Sequence, residues 1–311
     1  MRAVAAVLVA ALLLFSAAVS SRAEDDTVWR KPRTGLKLLV IDTGRIAMPD
    51  AYAWKGGGRT KRLWPILCFL VRHPKGDILV DAGLHPAFGH GREREYAGWI
   101  YPLAKLIFDF PTMRPGQEVG AQLKAFGVEP ASLKSVILTH AHVDHIGGLA
   151  TIPTSVPVYI GDGELAEFKA WNADLNGFHK KDIQTGHRFE PTPWRDEPVL
   201  GFARSWDVFG DGSVVVLEAP GHTPGSQMVL VNLDSRPVLI TGDGIYTHRN
   251  YELPAPKGKI FGHRTDWNDQ KAMDVILKIR DIHEKHPDVL ILASHDWEQY
   301  PKLRIAPDLY R

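Results

Sequence analysis

The chain has 311 residues, of which 44% are hydrophobic and 23% charged, and its formal net charge is +1. This apolar fraction is enough for a sizeable core and excludes disorder along the whole chain. The balance of 37 basic and 36 acidic residues argues against a protein that binds nucleic acid through bulk charge. A single cysteine, Cys68, excludes internal disulfides and thiolate-rich metal sites. The 14 histidines stand out, because imidazole is the commonest metal ligand in proteins.

The first 23 residues are predicted to be a signal peptide. Arg2 supplies a positive charge, residues 3–15 form an uncharged apolar run, and Ser21 and Ala23 place small residues before a cleavage site. The alternative, an uncleaved membrane anchor, needs ~20 apolar residues, and this run is shorter and rich in alanine. We therefore expect an exported protein, periplasmic or secreted and without a stable membrane anchor, whose mature chain covers residues 24–311.

The mature chain is predicted to alternate short strands with turns and to contain two clear helices. The strand patterns cover residues 38–41, 66–71, 78–80, 136–138, 158–160, 214–217, 228–231, 238–240 and 289–292. Helical spacing covers residues 117–126 and 269–286. Pro74-Lys75-Gly76 predicts a hairpin turn between the second and third strands. Residues 42–64 and 85–115 lack periodicity, and we expect them to be long loops that cover a functional site.

The order of these elements predicts an α+β fold. Strands are grouped early and late in the chain, and each group is followed by a helix. This arrangement favours two packed mixed β-sheets flanked by helices, which is an αββα four-layer sandwich. Because no Gly/Ser-rich linker or repeat separates the two halves, residues 24–311 are expected to form a single domain.

A histidine cluster follows the strand predicted at residues 136–138, where residues 139–145 read THAHVDH. His140 and His142 point to the same side of an extended backbone, because side chains alternate along a strand. A turn near Val143 then lets Asp144 and His145 project differently. The alternative is that Asp144 caps a helix and the histidines lie on a solvated loop. Three histidines and an aspartate in an H-x-H-x-D-H pattern at a strand end favour a metal site.

Three further polar side chains follow apolar strands in the same way, namely those of His222, Asp243 and His295. Because strand ends of one sense converge on one edge of a sheet, we expect them to meet the histidine cluster. Seven ligands fit two divalent metal ions. One ion is assigned to His140, His142 and His222, the second to Asp144, His145 and His295, and Asp243 is assigned as the carboxylate that bridges them. Ligation by nitrogen and oxygen fits Zn²⁺ and also admits Fe, Mn or Co.

The H-x-H-x-D-H motif, followed by GHTPGS at 221–226, TGDG at 241–244 and SHD at 294–296, resembles the metallo-β-lactamase superfamily. The resemblance runs from about Lys37 to Trp297, and its seven ligand positions are all filled. Within the superfamily the chain is most similar to the N-acyl-homoserine lactonases, through KLLVIDTG at 37–44, ILVDAG at 78–83 and a tyrosine three residues after the bridging aspartate. The resemblance implies that this tyrosine, Tyr246, faces the substrate carbonyl. An ordinary half-buried tyrosine is the alternative.

The resemblance also implies an enzyme, a dinuclear metallo-hydrolase that opens lactone rings, with N-acyl-homoserine lactones as substrates and quorum quenching as the outcome. The expected mechanism is attack of a hydroxide that bridges the two ions on the lactone carbonyl. Tyr246 would donate a hydrogen bond to the oxyanion, and Asp144 would pass a proton to the leaving alkoxide. The candidates for an apolar trough that takes the acyl tail are Tyr52, Trp54, Trp64 and Trp99.

Rival functions stay open within the same superfamily. A β-lactamase suits export, but one subclass needs a cysteine ligand, and Cys68 lies far from every ligand position. The other subclass lacks the bridging aspartate that Asp243 supplies. Exported organophosphate or ester hydrolases and thioesterases of the glyoxalase II type are further enzymatic alternatives, and a catalytically inert metal-binding module would predict a lost ligand. The expected partner is a small lactone or ester, and a homodimer is left open.

Overall fold

Two β-sheets form the centre of the computed structural model, which describes residues 35–102, 105, 109–259, 265–308 and 310. The strands of the first sheet are β1 (Lys37–Pro49), β2 (Lys61–Arg72), β3 (Ile78–Val80), β4 (Asp109–Thr112), β5 (Ser135–Ile137), β6 (Val158–Ile160) and β7 (Phe189–Pro191). Those of the second are β8 (Ser205–Asp207), β9 (Val214–Glu218), β10 (Gln227–Asn232), β11 (Pro237–Ile240) and β12 (Leu290–Leu292). The predicted strands are all present, several with longer ends.

Both sheets are mixed, as the sequence predicts. Among the described residues the strand orders are β4-β1-β2-β3-β5-β6-β7 and β12-β11-β10-β9-β8. In the first sheet β3, β5, β6 and β7 pair in parallel, whereas β1 pairs antiparallel with β2 and β4. In the second sheet β11 and β12 are the parallel pair. The β2–β3 pair is antiparallel and turns at residues 74–76, where the amide of Gly76 donates to the carbonyl of His73 at 2.9 Å.

α-Helices and short 3₁₀ turns connect the strands. The α-helices are α1 (Asp50–Ala53), α2 (Glu93–Ala97), α3 (Val119–Ala125), α4 (Val143–Ile146), α5 (Glu164–Glu167), α6 (Arg249–Glu252) and α7 (Asp269–Lys285). Short 3₁₀ turns cover Pro86–His90, Gly98–Ile100, Pro130–Ser132, Gly147–Thr151, Ala173–Asn176, Lys180–Ile183, Gly242–Gly244 and Tyr300–Lys302. The two predicted helices are observed as α3 and α7, each slightly shorter than predicted. The side chain of Asn268 starts α7 by accepting a hydrogen bond from the Lys271 amide at 3.0 Å.

Alternating side chains divide the hydrophobic core into layers. Leu38 and Val40 of β1 face the second sheet and pack with residues such as Val229 of β10. Leu39 and Ile41 face the other way and pack beneath α3 and the chain around it. The outer face of the second sheet packs in the same manner against α7 through Val275, Ile276, Ile279 and Ile282. The predicted αββα sandwich is therefore confirmed.

The prediction that residues 42–64 form a loop is wrong. β1 continues to Pro49 and β2 begins at Lys61, so the two strands form a long hairpin that ends at α1. The pairing register shifts between Asp42 and Gly44, and this bulge interrupts the alternation from which a strand is predicted. Residues 85–115 are likewise partly regular, because they contain α2 and β4, which pairs with β1.

Within the described ranges, no helix combines the length and the apolar character needed to span a membrane. The predicted signal peptide, residues 1–23, lies outside the described residues. Its cleavage and the export of the mature chain therefore stay predictions.

Candidate metal centre

Four segments that each follow a strand meet at one edge of the two sheets. They follow β5, β9, β11 and β12. In the first segment the backbone stays extended at His142 (φ −71°, ψ 156°), and α4 begins at Val143, so consecutive side chains point in different directions. The structure thereby brings together all seven residues of the predicted ligand set, which are His140, His142, Asp144, His145, His222, Asp243 and His295.

The first cluster consists of His140, His142, His222 and one oxygen of Asp243, whose candidate ligand atoms lie within 4.8 Å of one another. Nδ1 of His142 lies 3.1 Å from Nε2 of His140 and 3.0 Å from Nε2 of His222. Oδ2 of Asp243 lies 3.7 Å from His140 Nε2 and 3.5 Å from His222 Nε2. Ligands at about 2.0–2.1 Å from a tetrahedral Zn²⁺ lie about 3.3 Å from each other, so this cluster has the dimensions of a zinc site.

The second cluster consists of Asp144, His145 and His295. Nε2 of His295 lies 3.4 Å from Oδ2 of Asp144, and Nε2 of His145 lies 4.0 Å from Oδ1. The second oxygen of Asp243, Oδ1, lies 3.3 Å from His145 Nε2 and 3.1 Å from His295 Nε2. Asp243 therefore presents one oxygen to each cluster, which is the arrangement that a bridging carboxylate requires.

Two buried polar atoms between the clusters indicate that the site is built for cations. Nε2 of His145 and Oδ1 of Asp243 are buried, and within the described part of the chain their contacts at 3.1–3.3 Å lack the geometry of a hydrogen bond. Buried polar atoms without partners are rare in proteins and mark functional positions or bound ions. Together with the nitrogen and oxygen donors around them, these atoms fit two divalent metal ions.

The outer ring nitrogens of three histidines are held by further residues. Nδ1 of His145 lies 2.8 Å from Oδ2 of Asp81, and Nδ1 of His222 lies 3.0 Å from Oδ1 of Asp266. Nδ1 of His295 donates to the carbonyl oxygen of Pro65 at 2.8 Å. Such contacts fix the tautomer and orientation of a ligating imidazole, so that Nε2 carries the lone pair that faces the cluster.

Burial and neighbouring charges shift the pKa values of the histidines and the aspartate in the first cluster. Burial, with a smaller contribution from His145, lowers the pKa of His140 well below its usual range, and burial also lowers the pKa of His142 and His222. These rings are therefore neutral, which is the state that binds a metal. Burial alone would raise the pKa of Asp243, but His295 and His145 hold this pKa well below its usual range. The central carboxylate is thus ionised.

Tyr246 lies beside both clusters, and aromatic side chains surround it. Its ring centroid is 5.8 Å from that of His222 and 5.8 Å from that of His295. The buried ring of Trp64 packs 5.3 Å from Tyr246 and stacks on Trp297, also at 5.3 Å. Of the other predicted trough residues, Tyr52 and Trp54 pack against this group. Trp99, by contrast, is 71% exposed and lies outside it.

Sequence reasoning missed four buried residues that support the site. Asp81 and Asp266 hold His145 and His222, and Lys257 pairs with Asp266. Glu164 accepts hydrogen bonds from the amides of Ala141 (3.0 Å) and Gly225 (2.9 Å), which joins the two histidine-bearing loops. Asp81 follows a strand as the ligands do and could have been noticed. The others are paired by contacts that no local pattern indicates.

Comparisons with known proteins identify the family to which this fold belongs. Residues 62–295 match the profile of the metallo-beta-lactamase superfamily. The chain is 29% identical over 285 residues to N-acyl homoserine lactonase AttM of Agrobacterium fabrum, covering 89% of this chain and 99% of that protein. A solved N-acyl homoserine lactone hydrolase, with the product N-hexanoyl-L-homoserine at its catalytic metal centre, has a TM-score of 0.71 at 23% identity, covering 88% of this chain and 98% of that chain. AidC, a dizinc quorum-quenching lactonase, has a TM-score of 0.56 at 17% identity, covering 88% and 93%. The chain belongs to the metallo-beta-lactamase superfamily.

Proposed function

We propose that this protein is a metal-dependent hydrolase that opens the ring of N-acyl homoserine lactones. The observation that carries the proposal is the position of Tyr246 between the two histidine clusters, 5.8 Å from the rings of His222 and His295. Similarity to the Agrobacterium lactonase over 89% of the chain supports the same substrate class.

The metal ligands of the proposed enzyme are the seven clustered side chains. Two divalent ions would supply a Lewis acid for the carbonyl and lower the pKa of water. Asp243 would contribute a ligand to both clusters, because its two oxygens face different clusters. Asp144 is less buried than the histidines around it, with 21% of its side chain exposed, and it can therefore exchange a proton with the substrate and solvent.

Tyr246 is suited to stabilise an oxyanion. Burial, and next the charge of Asp243, raises the pKa of its hydroxyl well above the usual range, so the hydroxyl stays protonated and can donate a hydrogen bond. The backbone amide of Tyr246 donates to Oδ1 of Asn250 at 3.1 Å, and Trp64 packs against the ring. The hydroxyl therefore acts from a fixed position.

The aromatic side chains beside Tyr246 are suited to contact an acyl tail. Trp64 and Trp297 stack at 5.3 Å, and Trp54 stacks on Trp297 at 6.0 Å. Trp54 and Trp297 are partly exposed and offer an apolar surface to an acyl chain that leaves the lactone, while the buried Trp64 packs against Trp297 and supports it.

A substrate panel on the purified, metal-loaded protein tests the proposal. We expect hydrolysis of N-hexanoyl and N-decanoyl homoserine lactones to exceed that of a phosphotriester, a β-lactam and a thioester in kcat/KM. Asp243→Ala serves as the control for contaminating esterases, because it removes the carboxylate shared by the clusters. A protein that prefers paraoxon or nitrocefin to the lactones, or that is inert toward the whole panel while metal-loaded, would refute the assignment.

Export of the mature chain is the second part of the proposal. The apolar run at residues 3–15 and the small residues at 21 and 23 support it. Cell fractionation followed by intact mass measurement tests it. We expect a periplasmic or secreted protein that begins at Glu24, and a cytoplasmic protein that retains Met1 would contradict export.

A further inference from the structure

Lys257 carries a buried charge next to the first histidine cluster. Its side chain is completely buried, and Nζ lies 2.6 Å from Oδ1 of Asp266, whose side chain is 6% exposed. A buried ion pair adds little net stability, because the loss of hydration offsets most of the attraction between the charges. The pair therefore calls for an explanation other than stability.

The same carboxylate oxygen contacts a candidate metal ligand. Oδ1 of Asp266 accepts a hydrogen bond from Nδ1 of His222 at 3.0 Å, while Nε2 of His222 faces the first cluster. The backbone fixes this contact, because the amide of Trp267 donates to the carbonyl of His222 at 2.8 Å. Lys257, Asp266 and His222 thus form one continuous hydrogen-bonded chain that ends at the cluster.

The ammonium group of Lys257 also lies against Tyr246. Nζ is 4.8 Å from the centroid of the Tyr246 ring, within the range of a cation–π contact. The chain on either side of Lys257 is hydrogen-bonded to α1 or to the residues just after it, and the amide of Lys55 donates to the carbonyl of Pro256 at 2.8 Å. The amide of Gly258 donates to the carbonyl of Tyr52 at 3.1 Å, and a Cβ atom at Gly258 would lie 1.7 Å from the carbonyl oxygen of Ala51. Only glycine permits this approach, so the position of Lys257 is set by the backbone.

We propose that Lys257 is a positioning residue for the first cluster, where its ammonium group balances the Asp266 carboxylate and thereby lets Asp266 hold the His222 ring with Nε2 toward the metal. The cation–π contact of the same ammonium group keeps the Tyr246 ring in place. The consequence of this positioning for lactone hydrolysis rests on the proposed lactonase function. Metal affinity and thermal stability are measured without a substrate, so they test the role of Lys257 independently of that function.

The charge balance between Lys257 and Asp266 predicts how single and double variants differ in stability and metal binding. Lys257→Met leaves a buried carboxylate without its cation, and an uncompensated buried charge is strongly destabilising. Adding Asp266→Asn removes that charge, while the amide oxygen of asparagine can still accept the hydrogen bond from His222. The double variant should therefore recover much of what Lys257→Met loses.

The test is a Zn²⁺ titration of the metal-free protein against a competing chelator, together with thermal unfolding. We expect Lys257→Met to weaken binding at the first cluster by about 10- to 100-fold and to lower Tm, because supporting residues of metal sites typically have effects of this size. Lys257→Met combined with Asp266→Asn should bind metal more tightly than Lys257→Met alone. The matched control is Lys259→Met, because Lys259 lies two residues away on the same segment and is exposed; it should behave as the wild type does.

Two results would overturn the proposal. The first is wild-type metal affinity in Lys257→Met, and the second is a double variant that binds metal no better than Lys257→Met. If Lys257→Met does not fold, the double variant decides the question: metal affinity near that of the wild type supports the proposal, and loss of metal overturns it. A protein that passes these tests but hydrolyses no lactone refutes the proposed function and leaves the role of Lys257 intact.

Discussion

Replacing Tyr246 with phenylalanine removes one hydroxyl and leaves the surrounding packing in place. The ring stays against Trp64 at 5.3 Å, and the backbone amide keeps its hydrogen bond to Asn250 at 3.1 Å. Loss of one oxyanion donor costs about 2.7–4 kcal/mol, or about 10²- to 10³-fold in kcat. Two divalent ions would also polarise the carbonyl, so Tyr246 is not the sole source of oxyanion stabilisation, and we expect the lower end of this range, about 100-fold.

The assay is steady-state hydrolysis of N-hexanoyl homoserine lactone, with kcat and KM determined separately. An interaction made only in the transition state lowers kcat and kcat/KM equally and leaves KM unchanged. Tyr159→Phe is the matched control, because this tyrosine lies on β6 and its ring packs against Trp206 at 4.6 Å. A Tyr246→Phe enzyme with wild-type kcat, or with an effect confined to KM, would refute the oxyanion role.

Two further predictions concern the Asp243 carboxylate and the buried Glu164, which joins the two histidine-bearing loops. Asp243→Ala should reduce the metal content below two ions per chain and abolish turnover, whereas unchanged content by elemental analysis would exclude a bridging role. Burial raises the pKa of Glu164 from its ordinary value of 4.5 to about 7, so the folded protein holds this proton to a higher pH than the unfolded chain does. The wild type should therefore lose about 2–3 kcal/mol of stability relative to Glu164→Gln as the pH rises from about 4.5 to 7. Urea unfolding of both metal-free proteins at pH 5 and 7.5 measures this difference, and an equal difference at the two pH values would contradict it.

The candidate ligands could be identified from the amino-acid sequence alone. Each follows an apolar strand, and the two-residue periodicity together with the turn at Val143 predicts how His140, His142 and Asp144 diverge. The αββα architecture was also predictable, because short buried strands and the amphipathic pattern of α7 are local properties of the chain. The long β1–β2 hairpin was not predictable, because the bulge at residues 42–44 disrupts the alternation of buried and exposed side chains on which strand prediction depends.

The residues that support those ligands, by contrast, could be identified only from the folded chain. Lys257 and Asp266 lie 9 positions apart, and Asp266 lies 44 positions from His222, yet all three meet in one hydrogen-bonded chain. The contact of His295 with the Pro65 carbonyl spans 230 positions. Hydrophobic periodicity determines which face of a strand is buried, but it carries no information about which polar groups meet when two sheets pack. The ligands could be predicted because each is placed by its own strand, and the residues that orient them could not, because each is placed by the packing of several elements.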